Sequence, residues 1–119
     1  MEPDAPLARH LAAAAARWPQ GLAVRTATRD WRFAEWQAEV TALAATIAPS
    51  RQALVVTGSS IDLARHAFAC SSKNRPFQPV DRDHPATAGP ELPAGIALVI
   101  ATRGSEGAPR QVMLSAASL

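Results

Sequence analysis

The chain is poor in the residues that would announce several common functions. It has one cysteine, one lysine and no tyrosine in 119 residues. A single thiol excludes an intramolecular disulfide and a cysteine-rich metal site, and it fits a reducing, cytoplasmic setting. Cys70 lies in a helical apolar pattern, where a buried structural role is expected. No long hydrophobic run exists: Glu2 and Asp4 precede the first Ala-rich stretch, and Arg9, His10 and Arg17 break it up. Neither a signal peptide nor a membrane span is expected, and the protein reads as soluble. Charge of one sign is also scarce. The formal net charge is +2 with a pI near 9.5, and the arginines alternate with Asp and Glu rather than forming a stripe, so no nucleic-acid partner is inferred. His10, His66 and His84 are far apart and show no i, i+4 pairing, which speaks against a metal site. Neither a Walker G-x-x-x-x-G-K-[ST] motif nor a G-x-S-x-G elbow occurs.

What is present is an ordinary globular composition, 48% hydrophobic and 18% charged, with room for one domain and a modest core. Alanine is abundant and Arg outnumbers Lys eleven to one, the imprint of GC-rich codon usage. Leu7, Leu11, Ala14 and Trp18 recur at helical spacing until Pro19 and Gly21, which predicts a first amphipathic helix. Leu22 to Ala27 reads as a strand and Thr28 to Asp30 as its turn. A second helix carries Trp36, Val40, Leu43 and Ile47 on one face and runs to Pro49. Ala53 to Thr57 is a short strand. Ser59, three residues before Asp62, caps a third helix that runs to about Ser71. Pro76 to Val80 is strand-like, Asp81 to Pro85 a polar turn, and Ala86 to Gly95 a loop or a single helical turn. The three tryptophans are expected to pack in the core. Strands alternating with helices predict an α/β fold, a partly parallel sheet with flanking helices.

The stretch ALVIATRGSEGAPRQVMLS, Ala97 to Ser115, stands apart. Ala97 to Ile100 reads as a buried strand; Gly104 and Gly107 then permit a sharp turn with free backbone N–H groups. Hydroxyls at Thr102 and Ser105, the guanidinium of Arg110 and those amides are the donors a triphosphate needs, since its charge is matched by several convergent hydrogen bonds. A hairpin turn that only joins two strands is the alternative.

This stretch resembles the phosphate-binding motif of the adenylate-forming superfamily, which includes AMP-forming acyl- and aryl-CoA ligases, luciferases and nonribosomal peptide synthetase adenylation domains. Two upstream segments agree in order and spacing. WRFAEW (Trp31 to Trp36) is similar to the family's Tyr-x-Glu-Leu-type segment, and RPFQPVDRDHP (Arg75 to Pro85) to its Tyr-Val-Pro-Ile-Asp-type segment. The resemblance implies a two-step reaction: a carboxylate attacks the α-phosphate of ATP to give an acyl-adenylate, and a thiol of CoA or phosphopantetheine then takes the acyl group. Thr102, Arg103, Gly104, Ser105, Glu106, Gly107 and Arg110 would line the ATP phosphates, with Mg²⁺ expected alongside. Arg110 stands where the family has lysine and keeps the charge. Arg103 replaces a small hydroxyl residue or Gly, Glu106 a common Thr, and Lys73-Asn74-Arg75 the usual Ala-Gly pair.

The family's adenine-binding aromatic, its Thr-Glu motif, its ribose-binding Asp and its late lysine find no match here. The resemblance therefore implies that residues 1–119 are a partial N-terminal subdomain of such a ligase, ending just after the 102–110 loop. The piece is expected to be inactive alone, to carry an incomplete sheet and to self-associate. The alternative is a non-catalytic α/β module for interaction or assembly that keeps the architecture.

Overall fold

The computed structural model describes residues 6–80, 91–102 and 110–118. The predicted turn at Asp81 to Pro85, residues 86–90 and the loop 103–109 lie outside the described residues. Three helices, α1 (Pro6–Arg17), α2 (Phe33–Ala44) and α3 (Ser60–Ser72), combine with six strands, β1 (Leu22–Arg25), β2 (Asp30–Arg32), β3 (Leu54–Val56), β4 (Phe77–Pro79), β5 (Ile96–Thr102) and β6 (Arg110–Ser115). A 3₁₀ turn, Ala116–Ser118, follows β6. Strands β1 and β2 form an antiparallel ribbon; the other four form a sheet in the order β3-β4-β5-β6. Within it β3, β4 and β5 run parallel and β6 antiparallel, so the expected α/β, partly parallel sheet is present.

Each helix starts or turns for a local reason. In α3 the Ser59 hydroxyl accepts the Asp62 backbone N–H at 3.2 Å, and the Asp62 carboxylate accepts the Ser59 N–H at 3.3 Å and its hydroxyl at 3.0 Å. This reciprocal cap satisfies donors that the first turn leaves orphaned. At the start of α2 the Glu35 carboxylate reaches back to the Arg32 N–H at 3.0 Å. That helix closes at Ala44, earlier than the spacing predicts. The Thr46 hydroxyl donates to the Leu43 carbonyl at 2.7 Å and the Ile47 N–H to that of Ala44 at 3.0 Å, which tightens the end into i→i+3 turns. Ile47 is buried all the same, as a residue beyond the helix.

The core is built around Trp36, which is 1% exposed. Its ring meets Trp31 edge-on at 5.8 Å and Phe68 at 6.3 Å, so one indole joins the β1–β2 ribbon, α2 and α3. Val40 and Ala44 continue its face of α2; Leu11, Ala69, Cys70 and Phe77 complete the cluster. Trp18 departs from expectation: it is 54% exposed. The helix ends at Arg17, and Pro19 disfavours a helical backbone for the residue before it; the ring turns out to solvent beside the Arg17 guanidinium, 4.9 Å away.

Leu54, Phe77, Leu98 and Leu114 form one row across the sheet, on the face that packs against the helices. By alternation Val99 and Ile100 lie on opposite faces of β5. Val99 is buried, but Ile100 is 38% exposed, so the predicted buried strand is only partly so. The reason is that α3 packs over β3 and β4, leaving less cover at the β5–β6 side.

Two outcomes are expected of this packing. Trp36→Ala should cost about 3–5 kcal/mol, a large share of the roughly 5–15 kcal/mol typical of a domain; urea denaturation checks it, and a loss under about 1 kcal/mol would sink the three-ring account. The second concerns the α3 cap. The Ser59 hydroxyl, then the Ser59 N–H, hold the Asp62 carboxyl below its ordinary range. A carboxyl lowered on folding stabilises above its unfolded pKa, and that contribution is lost as pH falls through the folded one. Protection of the first-turn amides of α3, taken relative to intrinsic exchange at each pH, should therefore fall on acidification below about pH 4, and Ser59→Ala should remove that pH step while lowering stability by about 1 kcal/mol.

Candidate phosphate-binding site

The sheet gathers its functional candidates at one edge. Because β3, β4 and β5 are parallel, their carboxyl ends point the same way, and in open α/β sheets ligands bind outside those ends. The α3 cap follows β3 there, and the loop 103–109 leaves β5 from the same edge. Strands β5 and β6 pair from Ile96↔Ser115 through Val99↔Met113 and Ile100↔Val112 to Thr102↔Arg110. Thr102 and Arg110 are thus cross-strand partners at the mouth of the hairpin, about 4.5–5.5 Å apart between Cα atoms. Arg103, Gly104, Ser105, Glu106 and Gly107 lie outside the described residues. The ladder therefore anchors both ends of the predicted phosphate loop, and the hairpin of the alternative reading is the scaffold on which that loop is mounted.

The other candidates have structural explanations. The Ser59 hydroxyl serves the α3 cap. His66 Nδ1 donates to the Asp62 carbonyl one turn back at 2.7 Å. Among the described residues no cluster of His, Cys, Asp or Glu could hold a metal ion, and no helix is long and apolar enough to cross a membrane. Cys70 is completely buried, and burial pushes its thiol up to about 11, so it stays protonated and unreactive at neutral pH.

Three residues have structural roles that the sequence reading did not assign, two of them at the amino ends of the parallel strands. Asn74, within the Lys73-Asn74-Arg75 run, takes φ 52°, a left-handed conformation that Asn tolerates at a helix end. Arg75 then donates from Nε to the Gln52 carbonyl at 2.7 Å and from Nη1 to the Ala48 carbonyl at 2.9 Å, tying the start of β4 to the approach of β3. Gln78, midway along β4 and opposite Val55, is 4% exposed on the face away from Phe77. The run PFQPV held the only available signal, a lone amide among apolar neighbours.

A second polar network lies among α2, α3 and the ribbon. Trp31 Nε1 donates to Glu39 at 2.6 Å, Arg29 approaches the same carboxylate at 3.5 Å, and Arg65 reaches Glu39 at 3.2 Å and Asp62 at 3.3 Å. The Arg65 guanidinium also lies 5.5 Å from the centre of the Trp36 ring. Its charges are balanced internally, so it reads as a brace rather than a ligand site.

This arrangement is similar in fold to part of the N-terminal subdomain of NpsA, an adenylation-domain protein. The likeness is one of fold. The N-terminal subdomain of NpsA from Klebsiella oxytoca, in complex with 3-hydroxyanthranilyl-AMSN, matches with a TM-score of 0.72 at 17% identity, over 92% of this chain and 40% of that chain. VinN in complex with L-aspartate matches with a TM-score of 0.70 at 15% identity, over 92% and 47%. NpsA-ThdA, an artificially fused adenylation–PCP di-domain NRPS from Klebsiella oxytoca, matches with a TM-score of 0.71 at 15% identity, over 92% and 32%. The chain spans less than half the length of each of these structures. No protein-family model and no curated protein matches it in sequence.

The buried thiol yields a direct check on the packing behind this edge. In the native protein Cys70 should resist a thiol-specific reagent at neutral pH and react at the rate of unfolding, with full labelling in denaturant. Rapid labelling of the folded chain would mean that α3 does not seal against the core.

Proposed function

We propose that the chain supplies the phosphate-holding part of an adenylate-forming enzyme, one that activates a carboxylic acid with ATP as an acyl-adenylate and passes it to a thiol of CoA or phosphopantetheine. Residues 1–119 then represent a partial N-terminal subdomain whose loop, 102–110, meets the nucleotide. One observation carries the reading: the Thr102↔Arg110 pair fixes both ends of a Gly-, Ser- and Arg-bearing loop at the carboxyl edge of the parallel strands. The similar folds add support, since one holds 3-hydroxyanthranilyl-AMSN, an acyl-adenylate analogue, and another L-aspartate.

The donor set suits a polyphosphate. Hydroxyls at Thr102 and Ser105, amides at Gly104 and Gly107, and the guanidiniums of Arg103 and Arg110 are neutral and cationic donors. Glu106 is the loop's one carboxylate; beside a triphosphate it suits solvent or a phosphate-bound Mg²⁺. The work of this loop is to hold the β- and γ-phosphates so that the α-phosphorus stays open to the attacking carboxylate, which is positioning and charge neutralisation rather than bond-making. Bidentate contact by Arg110 would hold two phosphate oxygens at once. The incoming acid and the acyl-accepting thiol draw on residues beyond this set, so the chain by itself is expected to bind phosphates without turnover.

Titration of the isotope-labelled chain with pyrophosphate and with ATP tests this. Resonances of 102–110 should shift and saturate in the millimolar range, equivalent to about 4 kcal/mol. Arg110→Ala should weaken binding by about ten- to a hundredfold, the loss of a charge-assisted contact worth about 1.5–3 kcal/mol, with the rest of the spectrum unchanged. Shifts absent from 102–110, or equal affinities in the two proteins, would leave the loop as a turn and the chain as an interaction module.

A further inference from the structure

Arg65 is a cation with few alternatives. Its side chain is only 21% exposed, and its Nε is buried with no hydrogen-bond partner among the described residues. Water offers such a group little, and a buried donor left unpaired is costly. Two carboxylates meet the charge. Nη2 pairs with Glu39 Oε1 at 3.2 Å, on α2, and Nη1 with Asp62 Oδ1 at 3.3 Å, one turn back on α3. Each carboxylate uses its other oxygen elsewhere. Glu39 Oε2 accepts from Trp31 Nε1 at 2.6 Å and lies 3.5 Å from Arg29 Nη2. Asp62 Oδ2 accepts from the Ser59 hydroxyl at 3.0 Å and from the Ser59 N–H at 3.3 Å. An unbroken path of polar contacts thus runs from the indole N–H of the β1–β2 ribbon to the first turn of α3, with Arg65 at its centre.

We propose that Arg65 is a conformational coupler: it makes the first turn of α3 and the Trp31 end of the ribbon open together, rather than each fraying by itself. When the Ser59 cap opens, Asp62 moves with it and the guanidinium keeps one counterion of two. With Nε already orphaned and little solvent at hand, a half-compensated buried cation is costly, so Arg65 swings out and withdraws from Glu39. Glu39 is then left to Arg29, whose side chain is 52% exposed, and is drawn away from the indole. The reverse sequence starts from the ribbon, because coupling between two sites is reciprocal. The other charged and titratable groups beside the path do not replace Arg65. His66 is committed through Nδ1 to the Asp62 carbonyl, and Arg29 meets the path at its Glu39 end, where it also lies 4.4 Å from the centre of the Trp31 ring. Two arginines balance two carboxylates, so the contribution of Arg65 is to cooperativity rather than to net attraction. The inference does not depend on what the 103–109 loop binds.

Hydrogen exchange on the 119-residue chain, read site by site at neutral pH, tests this. In Ser59→Ala the Trp31 Nε1 proton should exchange about fivefold or more faster, beyond any change in the core amides of β4 and β5 that report unfolding of the whole chain. Glu39→Gln keeps an acceptor for the indole but removes the charge, and it should speed the first-turn amides of α3 to a similar extent. Both distant effects should vanish in Arg65→Met, where each end loosens alone. A Trp31 Nε1 proton unmoved by Ser59→Ala overturns the proposal. So does a distant effect that survives Arg65→Met, or one shared equally with the core amides. Because the Ser59→Ala measurement is made with Arg65 in place, the test stands even if Arg65→Met fails to fold.

Discussion

Everything in the described fold leans on the perpendicular stack of Trp31, Trp36 and Phe68. The three rings come from the β1–β2 ribbon, α2 and α3, the same three elements that the Glu39 network links. Edge-on aromatic packing has a directional preference beyond burial of area, so it fixes how the helices sit against each other as well as how tightly. From that arrangement α3 takes its place over β3 and β4, and the parallel pairing of those strands follows. The brace formed by Glu39, Arg65 and Asp62 surrounds the stack and gives the Trp31 N–H an acceptor. A buried indole donor without one would be costly.

The hairpin divides the labour differently. From Leu98 to Thr102 its ladder is regular and backbone-driven, so the positions of Thr102 and Arg110 depend little on the identity of the side chains between them. The loop they close can vary in sequence while its ends stay in register. That separation is a physical reason why departures such as Arg103 and Glu106 are compatible with an unchanged architecture, and why function must be argued from the site and not from the fold.

Legibility in the sequence followed the range of the forces involved. The α3 start was readable because Ser59 and Asp62 are three residues apart and cap one another locally. The α/β, partly parallel character of the sheet was readable as alternation of apolar runs and helical faces; the order β3-β4-β5-β6 was not. The end of α2 was not, because Val40, Leu43 and Ile47 keep helical spacing after the backbone has tightened at Thr46. Trp18 kept the stripe of α1 too, yet the proline after it decided the matter. Asn74 and Arg75 looked like a blemish in a familiar turn, and only the fold reveals that one supplies the left-handed backbone and the other spans to Ala48 and Gln52. For the candidate site, composition named the donors and the ladder located their anchors.

The Arg75 clasp has a temporal side. The β5–β6 hairpin closes over a short loop and can form in microseconds, as local pairs do. Strands β3 and β4 must wait for the whole of α3 to fold between them, because parallel neighbours need a crossover. Arg75 stands where that crossover ends, and its two hydrogen bonds reach back across it to the residues before β3. It acts as a latch on the slowest closure in the sheet. The β5–β6 hairpin can therefore be assembled early and held waiting, with the moment it acquires its parallel neighbours set by an arginine on the other side of the crossover.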